Sequence, residues 1–446
     1  MRDFTAIVEG HLDAVTGAIL DPANPMWPSV VDAASGICPP DADPPSRVYR
    51  KIGAPRGSTL YWDQPAVVAA CAVSALTGHP RHAAAAEAYI RAFLERCLRD
   101  DGMFRWGNHM YYDIFAETVV TFPECHELRP LTPAWNLFRR MAPEATVHYL
   151  RTATRRHVYD PDTGGFNRHD DARRDHAFLE AGGVLVETLA WLYRETGSAD
   201  DLDLARRIAG YSFGHRDPST GLVPNEPDHG RWDSRVCTSE VGLWAACLLR
   251  AADLTEQPAF VDMAGQAVGA WLRHAWDTAA ERYAGQVEVK TGRQVMPPQP
   301  GYWPGVWADP WNTDQWPTHD YPTELAEACL ELYERTAEEA FAKAVRRWTR
   351  IALATRPQGA RKAYAESYAR CIRLLARAAR RLDEPKLAAQ ARMLADDAVA
   401  RLLQNGLIKG HTGARGHQSV DGVGYLLLAL LDLDTDGAVD LQGFRF

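Results

Sequence analysis

Three short segments of the 446-residue chain each set a histidine beside a carboxylate or an arginine: WGNHMYYD from Trp106, CHELRP from Cys125 and GGFNRHDD from Gly164. Taken together, His109, Glu127 and His169 supply two imidazoles and one carboxylate. That donor set suits a divalent transition metal and leaves coordination positions for water or substrate. His126 is the rival imidazole, and Asn108, Asp113 and Arg129 are placed to orient the ligands through hydrogen bonds. A lone histidine is more often structural, and no HxH or HExxH spacing links these three. Their clustering in adjacent loop-like segments is what raises them above the other histidines.

Those side chains must be held by something, and the rest of the chain reads as helix. After Pro80, the residues Ala86, Tyr89, Ile90, Phe93, Leu94 and Cys97 step by three and four, and Leu387, Ala391, Leu394, Ala398 and Leu402 do the same. A polar turn between two apolar helices recurs near Thr77, Thr196, Thr255, Thr336 and Asp383, with cap-like residues and often a proline at the start of the second helix. Stacked helical hairpins build either an open solenoid or a closed ring. An open array wants polar capping repeats, so the expectation is an all-α, single-domain (α/α) toroid of six or seven hairpins spanning residues 1–446, with loops lining a central cleft.

Composition narrows the partners. The chain is 46% hydrophobic and 24% charged, with 49 Lys and Arg against 58 Asp and Glu, for a net charge of -9. No long basic run offers a footprint for nucleic acid or an acidic membrane. Eight cysteines lie apart without a CxxC pair and read as reduced core thiols. The N-terminal stretch, with Asp3, reads as an amphipathic helix and not as an export signal, so a cytoplasmic protein is expected.

The long loops are rich in aromatics. Tyr302, Trp303, Trp307, Trp311 and Trp316 offer faces on which sugar rings can stack, against the alternative that each closes the hydrophobic rim. Further polar groups expected around the cleft are Tyr61, Asp63 and Gln64, Tyr112 and Asp113, Arg173 and His176, Arg231 and Asp233, Asp309 and Asp314, and His417, Gln418 and Asp421. The DLDTDG run from Asp432 imitates the start of a calcium loop but has Gly443 where the bidentate glutamate belongs.

On GNH with His109, HEL with Glu127 and FNRH with the adjacent Arg168 and His169, the chain resembles polysaccharide lyase family 2, the metal-dependent pectate lyases. The resemblance implies a toroid and β-elimination on a uronate-containing oligo- or polysaccharide. It also implies a divalent metal, commonly manganese with cobalt, nickel or zinc as alternatives, on His109, Glu127 and His169, and Arg168 as the base. The substrate-binding residues expected with it are Tyr61, Asp63, Gln64, Tyr112, Asp113, Arg129, His176, Trp303 and Trp307.

First principles leave a different role open for Arg168: a guanidinium is protonated at ordinary pH, so a carboxylate clamp with Tyr111, Tyr112 or His176 taking the proton is the alternative. Rival readings are a toroid glycoside hydrolase or unsaturated-uronyl hydrolase using carboxylates such as Asp63 and Asp113, and a non-catalytic carbohydrate-binding protein. An iron oxygenase shares the ligand types but belongs with β-barrels.

Overall fold

The computed structural model describes residues 2–40, 54–106, 110–121, 126–128, 133–170, 177–227, 233–295, 305–311 and 323–445. Among them lie α1 (Phe4–Gly17), α2 (Leu60–Thr77), α3 (Arg81–Cys97), α4 (Trp135–Met141), α5 (Pro143–His157), α6 (Leu179–Thr196) and α7 (Ala199–Gly214). The second half contributes α8 (Thr238–Thr255), α9 (Pro258–Ala275), α10 (Thr323–Thr336), α11 (Glu339–Ala354), α12 (Ala365–Arg381), α13 (Pro385–Leu402) and α14 (Val423–Asp434).

The even-numbered helices form an inner ring and the odd-numbered ones an outer ring of an (α/α) toroid, seven of each among the described residues. The sequence pattern separates the two layers. Inner α6 and α8 are buried on every side, from Leu179 to Leu192 and from Thr238 to Leu249. Outer α9 buries one stripe through Phe260, Ala264, Ala267, Val268 and Trp271, as expected of a helix with one face to solvent. Inner helices approach closely where a side chain is missing: a Cβ on Gly242 would meet the Leu325 backbone at 2.5 Å, and one on Gly424 would collide with the backbone of Ala66.

Five hairpin turns fall where the sequence placed them, but the threonines act differently from the expected N-caps. Thr77, Thr196, Thr255 and Thr336 end the inner helix, each hydroxyl donating to the carbonyl four residues back at 2.6–2.9 Å. The next residue is left-handed in every case: Gly78, Gly197, Glu256 and Ala337. These are C-terminal stops of the first helix, made by backbone reversal.

The ring closes through its ends. Val30–Asp32 pairs antiparallel with Gly416–Gln418, the Ile408 amide donates to His11 Nδ1 at 2.9 Å, and α1 packs on α14, with the Thr5 amide donating to Asp434 Oδ2 at 2.9 Å. Short α4 is held between its neighbours by hydrogen bonds: the Ala134 amide donates to Gln64 Oε1 and Trp191 Nε1 donates to Asn136 Oδ1. Because outer helices return the chain, inner helices all run in one sense and gather their N-termini at one end. The first turns of α2, α6, α8, α10 and α12 carry Asp63, Glu180, Glu240, Glu324 and Glu366, which the positive end of a helix dipole favours.

Candidate functional site

Two loop segments meet at that end. Residues 126–128 run antiparallel to 168–170: Glu127 pairs with His169 across a single β-bridge, the Leu128 amide donates to the Arg168 carbonyl at 2.9 Å and the Asp170 amide to the His126 carbonyl at 3.1 Å. Directly opposed residues of such a pair project to the same face. Glu127 Oε1 accordingly lies 3.3 Å from His169 Nε2. Arg168 reaches the same oxygen, with Nε at 3.0 Å, and its Nη1 lies 3.3 Å from Glu180 Oε1. The guanidinium rests on the Phe178 ring, 4.8 Å from its centre.

Beneath the bridge runs a buried chain of hydrogen bonds whose direction is fixed by its two ends. His157 Nδ1 faces the Asn167 carbonyl at 2.8 Å and must donate to it. His157 Nε2 is then an acceptor and receives the proton of His126 Nδ1 at 2.7 Å. His126 Nε2 in turn accepts from the Tyr149 hydroxyl at 2.8 Å, and Trp106 Nε1 donates to that hydroxyl at 2.9 Å. Both imidazoles are neutral: burial lowers His126 well below its ordinary value and brings His157 to about 4. His126, the rival ligand, therefore has both ring nitrogens committed. Its place is underneath Glu127, and Asn167 plays the same part for Arg168 and His169, its Oδ1 accepting from the His169 amide at 3.2 Å.

The electrostatics centre on Arg168. Burial alone favours loss of its proton, but Glu127, Glu180, Glu240 and Glu226 outweigh this and hold the guanidinium above its ordinary value. Among these carboxylates Glu240 is pushed well up, first by burial and then by Glu180, whose amide donates to Glu240 Oε2 at 3.1 Å. Two carboxyl groups, Glu180 and the upshifted Glu240, thus stand close to the arginine.

The structure brings Glu127, Arg168 and His169 together; His109, Arg129, His176 and Trp303 lie outside the described residues, as do Asn108, Arg173, Arg231, Asp314 and Trp316. The described residues by themselves contain no cluster of three metal-ligating side chains. The fit to a metal is still testable on the pair present, since two donors about 2.1 Å from one ion at a right angle stand roughly 3 Å apart. Glu127 and His169 meet that spacing.

Several polar residues expected at the cleft are engaged elsewhere. Asp63 is buried and accepts from Ser419 Oγ and, at 2.6 Å, from the Tyr89 hydroxyl. Gln64 ties α2 to α4, and the buried Tyr61 ring packs edge-on against Trp62 and Trp106. Tyr112 lies in the strand Met110–Asp113, its hydroxyl 3.4 Å from Asn24 Nδ2, and Asp113 Oδ1 accepts the amides of Phe115 and Ala116 in the following turn. Half-buried Trp307 bridges Ala284, while Trp311 is core, donating to the Ala352 carbonyl at 2.7 Å. Asp309 pairs with Arg361, and His417 is buried and lowered to about 4. The calcium-like run ends a helix: Asp432 pairs with Arg380 and Asp434 with Arg392.

Known proteins bear on this arrangement. Residues 62–222 match the family described as periplasmic pectate lyase. That span contains His109, Glu127, Arg168 and His169. The description points outside the cytoplasm and corrects the expectation drawn from the N-terminal segment. That segment is α1, capped by Asp3 and packed in the core, and its amphipathicity reflects packing, which carries no information about compartment. Seven described cysteines are unpaired, and burial raises thiols such as Cys38 and Cys97 to about 12, which slows their oxidation.

Solved structures share the toroid. A D-mannose isomerase aligns with a TM-score of 0.52 at 11% identity over 97% of both chains. A GH76 α-mannanase from Bacteroides thetaiotaomicron aligns with a TM-score of 0.51 at 10% identity over 96% of both. At such identities the likeness speaks to fold alone.

Glu180 and Glu240, two of the carboxyl groups around Arg168, escaped the motif search. Their signal is a repeat: an acidic residue in the first turn of one inner helix after another, visible only once inner and outer helices are distinguished.

Proposed function

We propose that this protein is a carbohydrate-active enzyme, a lyase that cleaves uronate-containing glycans by β-elimination with a divalent transition metal held by His109, Glu127 and His169. The observation that carries the reading is the facing of Glu127 and His169 with Arg168 against the same carboxylate, inside the segment that matches the pectate lyase family. Such a metal, when bound, supplies positive charge that neutralises a uronate carboxylate and acidifies the neighbouring C5–H.

In the elimination the C5 proton leaves to a base, the C5–H electrons form the C4–C5 double bond, the C4–O4 bond breaks and the departing oxygen takes a proton. Arg168 is assigned the proton step at C5. To act there its guanidinium first gives a proton away, and oxygens of Glu127 and Glu180 lie beside it at 3.0 and 3.3 Å. The other role, a cationic clamp on the substrate, makes a separate prediction. If Arg168 is the base, Arg168→Lys moves the acidic limb of the kcat/KM profile to lower pH, because an amine loses its proton more easily than a guanidinium. A clamp keeps that limb in place and raises KM.

The deciding assay is the ultraviolet absorbance of 4,5-unsaturated uronates on a panel of polyuronates, first with chelator and then with manganese. A metal-dependent rise supports the lyase. The closeness of Glu180 and Glu240, with Glu240 pushed up by burial and by Glu180, favours one second reading, hydrolysis by two carboxyl groups. It predicts new reducing ends without the absorbance, unaffected by chelator.

A further inference from the structure

The outer wall carries a second feature that the elimination site does not use. A groove of about 530 Å³ lies between α11, the start of α13 and the hairpin that follows α9. Its walls include Trp276, Lys343, Arg346, Arg347 and Arg350, although the chain as a whole is acidic, with a net charge of -9.

Arg346 is neutralised, its Nη1 lying 2.6 Å from Glu339 and its Nε 2.7 Å from Glu384. Among the described residues no carboxylate forms an ion pair with Lys343, Arg347 or Arg350, and Glu281 is the other acid on the wall. The three cations stand at i, i+4 and i+7 of α11, one face of the helix over roughly 10 Å. The Arg347 guanidinium carbon lies over the Trp276 ring, 3.7 Å from its centre. Contact with the ring holds the guanidinium at the groove wall, and its several N–H groups suit a carboxylate. Lys343 and Arg350 are exposed on either side of it.

We infer that this groove is an accessory binding site for an acidic glycan, taking successive uronate carboxylates on Lys343, Arg347 and Arg350 and holding a polymer on the enzyme outside the cleft. The choice of a glycan among polyanions rests on the lyase reading; the cationic row itself does not.

The test is affinity electrophoresis through gels containing polygalacturonate, its methyl ester, or a single-stranded oligonucleotide. It compares the full chain with Lys343→Glu/Arg350→Glu, both in the Glu127→Gln background so that turnover plays no part. The inference expects retardation by polygalacturonate that weakens roughly tenfold in the double variant, with little retardation by the ester or the oligonucleotide. With Glu127 restored, KM for the polymer rises several-fold while kcat/KM on a trimer is unchanged. Equal retardation of parent and double variant overturns the site, equal binding of the ester overturns carboxylate recognition, and equal binding of the oligonucleotide overturns the glycan. Retardation that depends on Lys343 and Arg350 in a protein that eliminates no uronate keeps the groove and removes the lyase reading, so the two fail separately.

Discussion

Asp421 shows how a buried carboxyl group couples this protein's stability to pH. It sits just before α14, buried, and burial followed by the charge of Glu366 lifts it from 3.8 to about 7. A carboxyl group raised on folding holds its proton more tightly in the folded state. Its contribution is complete below the ordinary value and is lost as pH climbs toward about 7. Asp421→Asn removes the charge and keeps the shape, so its melting temperature should exceed that of the parent at pH 8 and converge with it near pH 4. A gap that is larger at pH 4 contradicts the assignment. A residue-scale prediction also follows from the buried histidines: His157→Gln interrupts the chain under Glu127 without touching a ligand. Manganese affinity measured by calorimetry should fall by roughly 10-fold or more, with the circular dichroism spectrum unchanged.

At the scale of elements, the joints between helices divide into two kinds. The hairpin turns need a left-handed residue, and Ala337 occupies such a position at a φ of 55°. Ala337→Gly should stabilise the protein by up to about 1 kcal/mol, because a side chain in that conformation is strained. Between inner helices the requirement is for space. Gly242→Ala drives a methyl group into the backbone of Leu325 and should destabilise by roughly 2 kcal/mol or more. Chemical denaturation of the pair tests both signs at once, and a stabilising Gly242→Ala would refute the close approach. Helical stepping made most of these helices legible in the sequence, since each outer helix buries one stripe. Short α4 was not legible: seven residues give two turns, too few for a period to show, and its position rests on Gln64 and Trp191 from other hairpins.

For the whole molecule, the ring is held across its interior by charge as well as by apolar packing. Along the facing sides of α10 and α12, Glu324 pairs with Arg370 at 2.7 Å, Glu327 with Arg377, and Glu334 with Arg381 at 2.9 Å. Arg445, from the C-terminal tail, reaches Glu324 at 2.6 Å. Arg370 also holds Glu366 at 2.9 Å. Arg370→Met would remove the cation at Glu366 and leave Glu324 with Arg445, and breaking a buried pair by removing one member costs about 3–5 kcal/mol. The expected result is a large drop in thermal stability at pH 7 that shrinks at pH 4, where the acids can protonate; an equal loss at both values would assign the residue a packing role.

Residue types and local periodicity determined the class of this protein. The helical stepping, the repeated turns and the segments with His109, Glu127 and Arg168–His169 are local features, readable because a helix repeats every few residues and because few side chains bind metals or abstract protons. Tertiary structure decided which groups share a site. It placed His126 beneath the bridge as a neutral hydrogen-bonding support and set Asp63 and Asp113 to structural hydrogen bonds. It also drew Glu180, Glu226 and Glu240, distant in sequence, around one arginine. Charge, burial and hydrogen-bond direction depend on neighbours supplied by other hairpins, and a linear pattern holds no record of them until the ring closes.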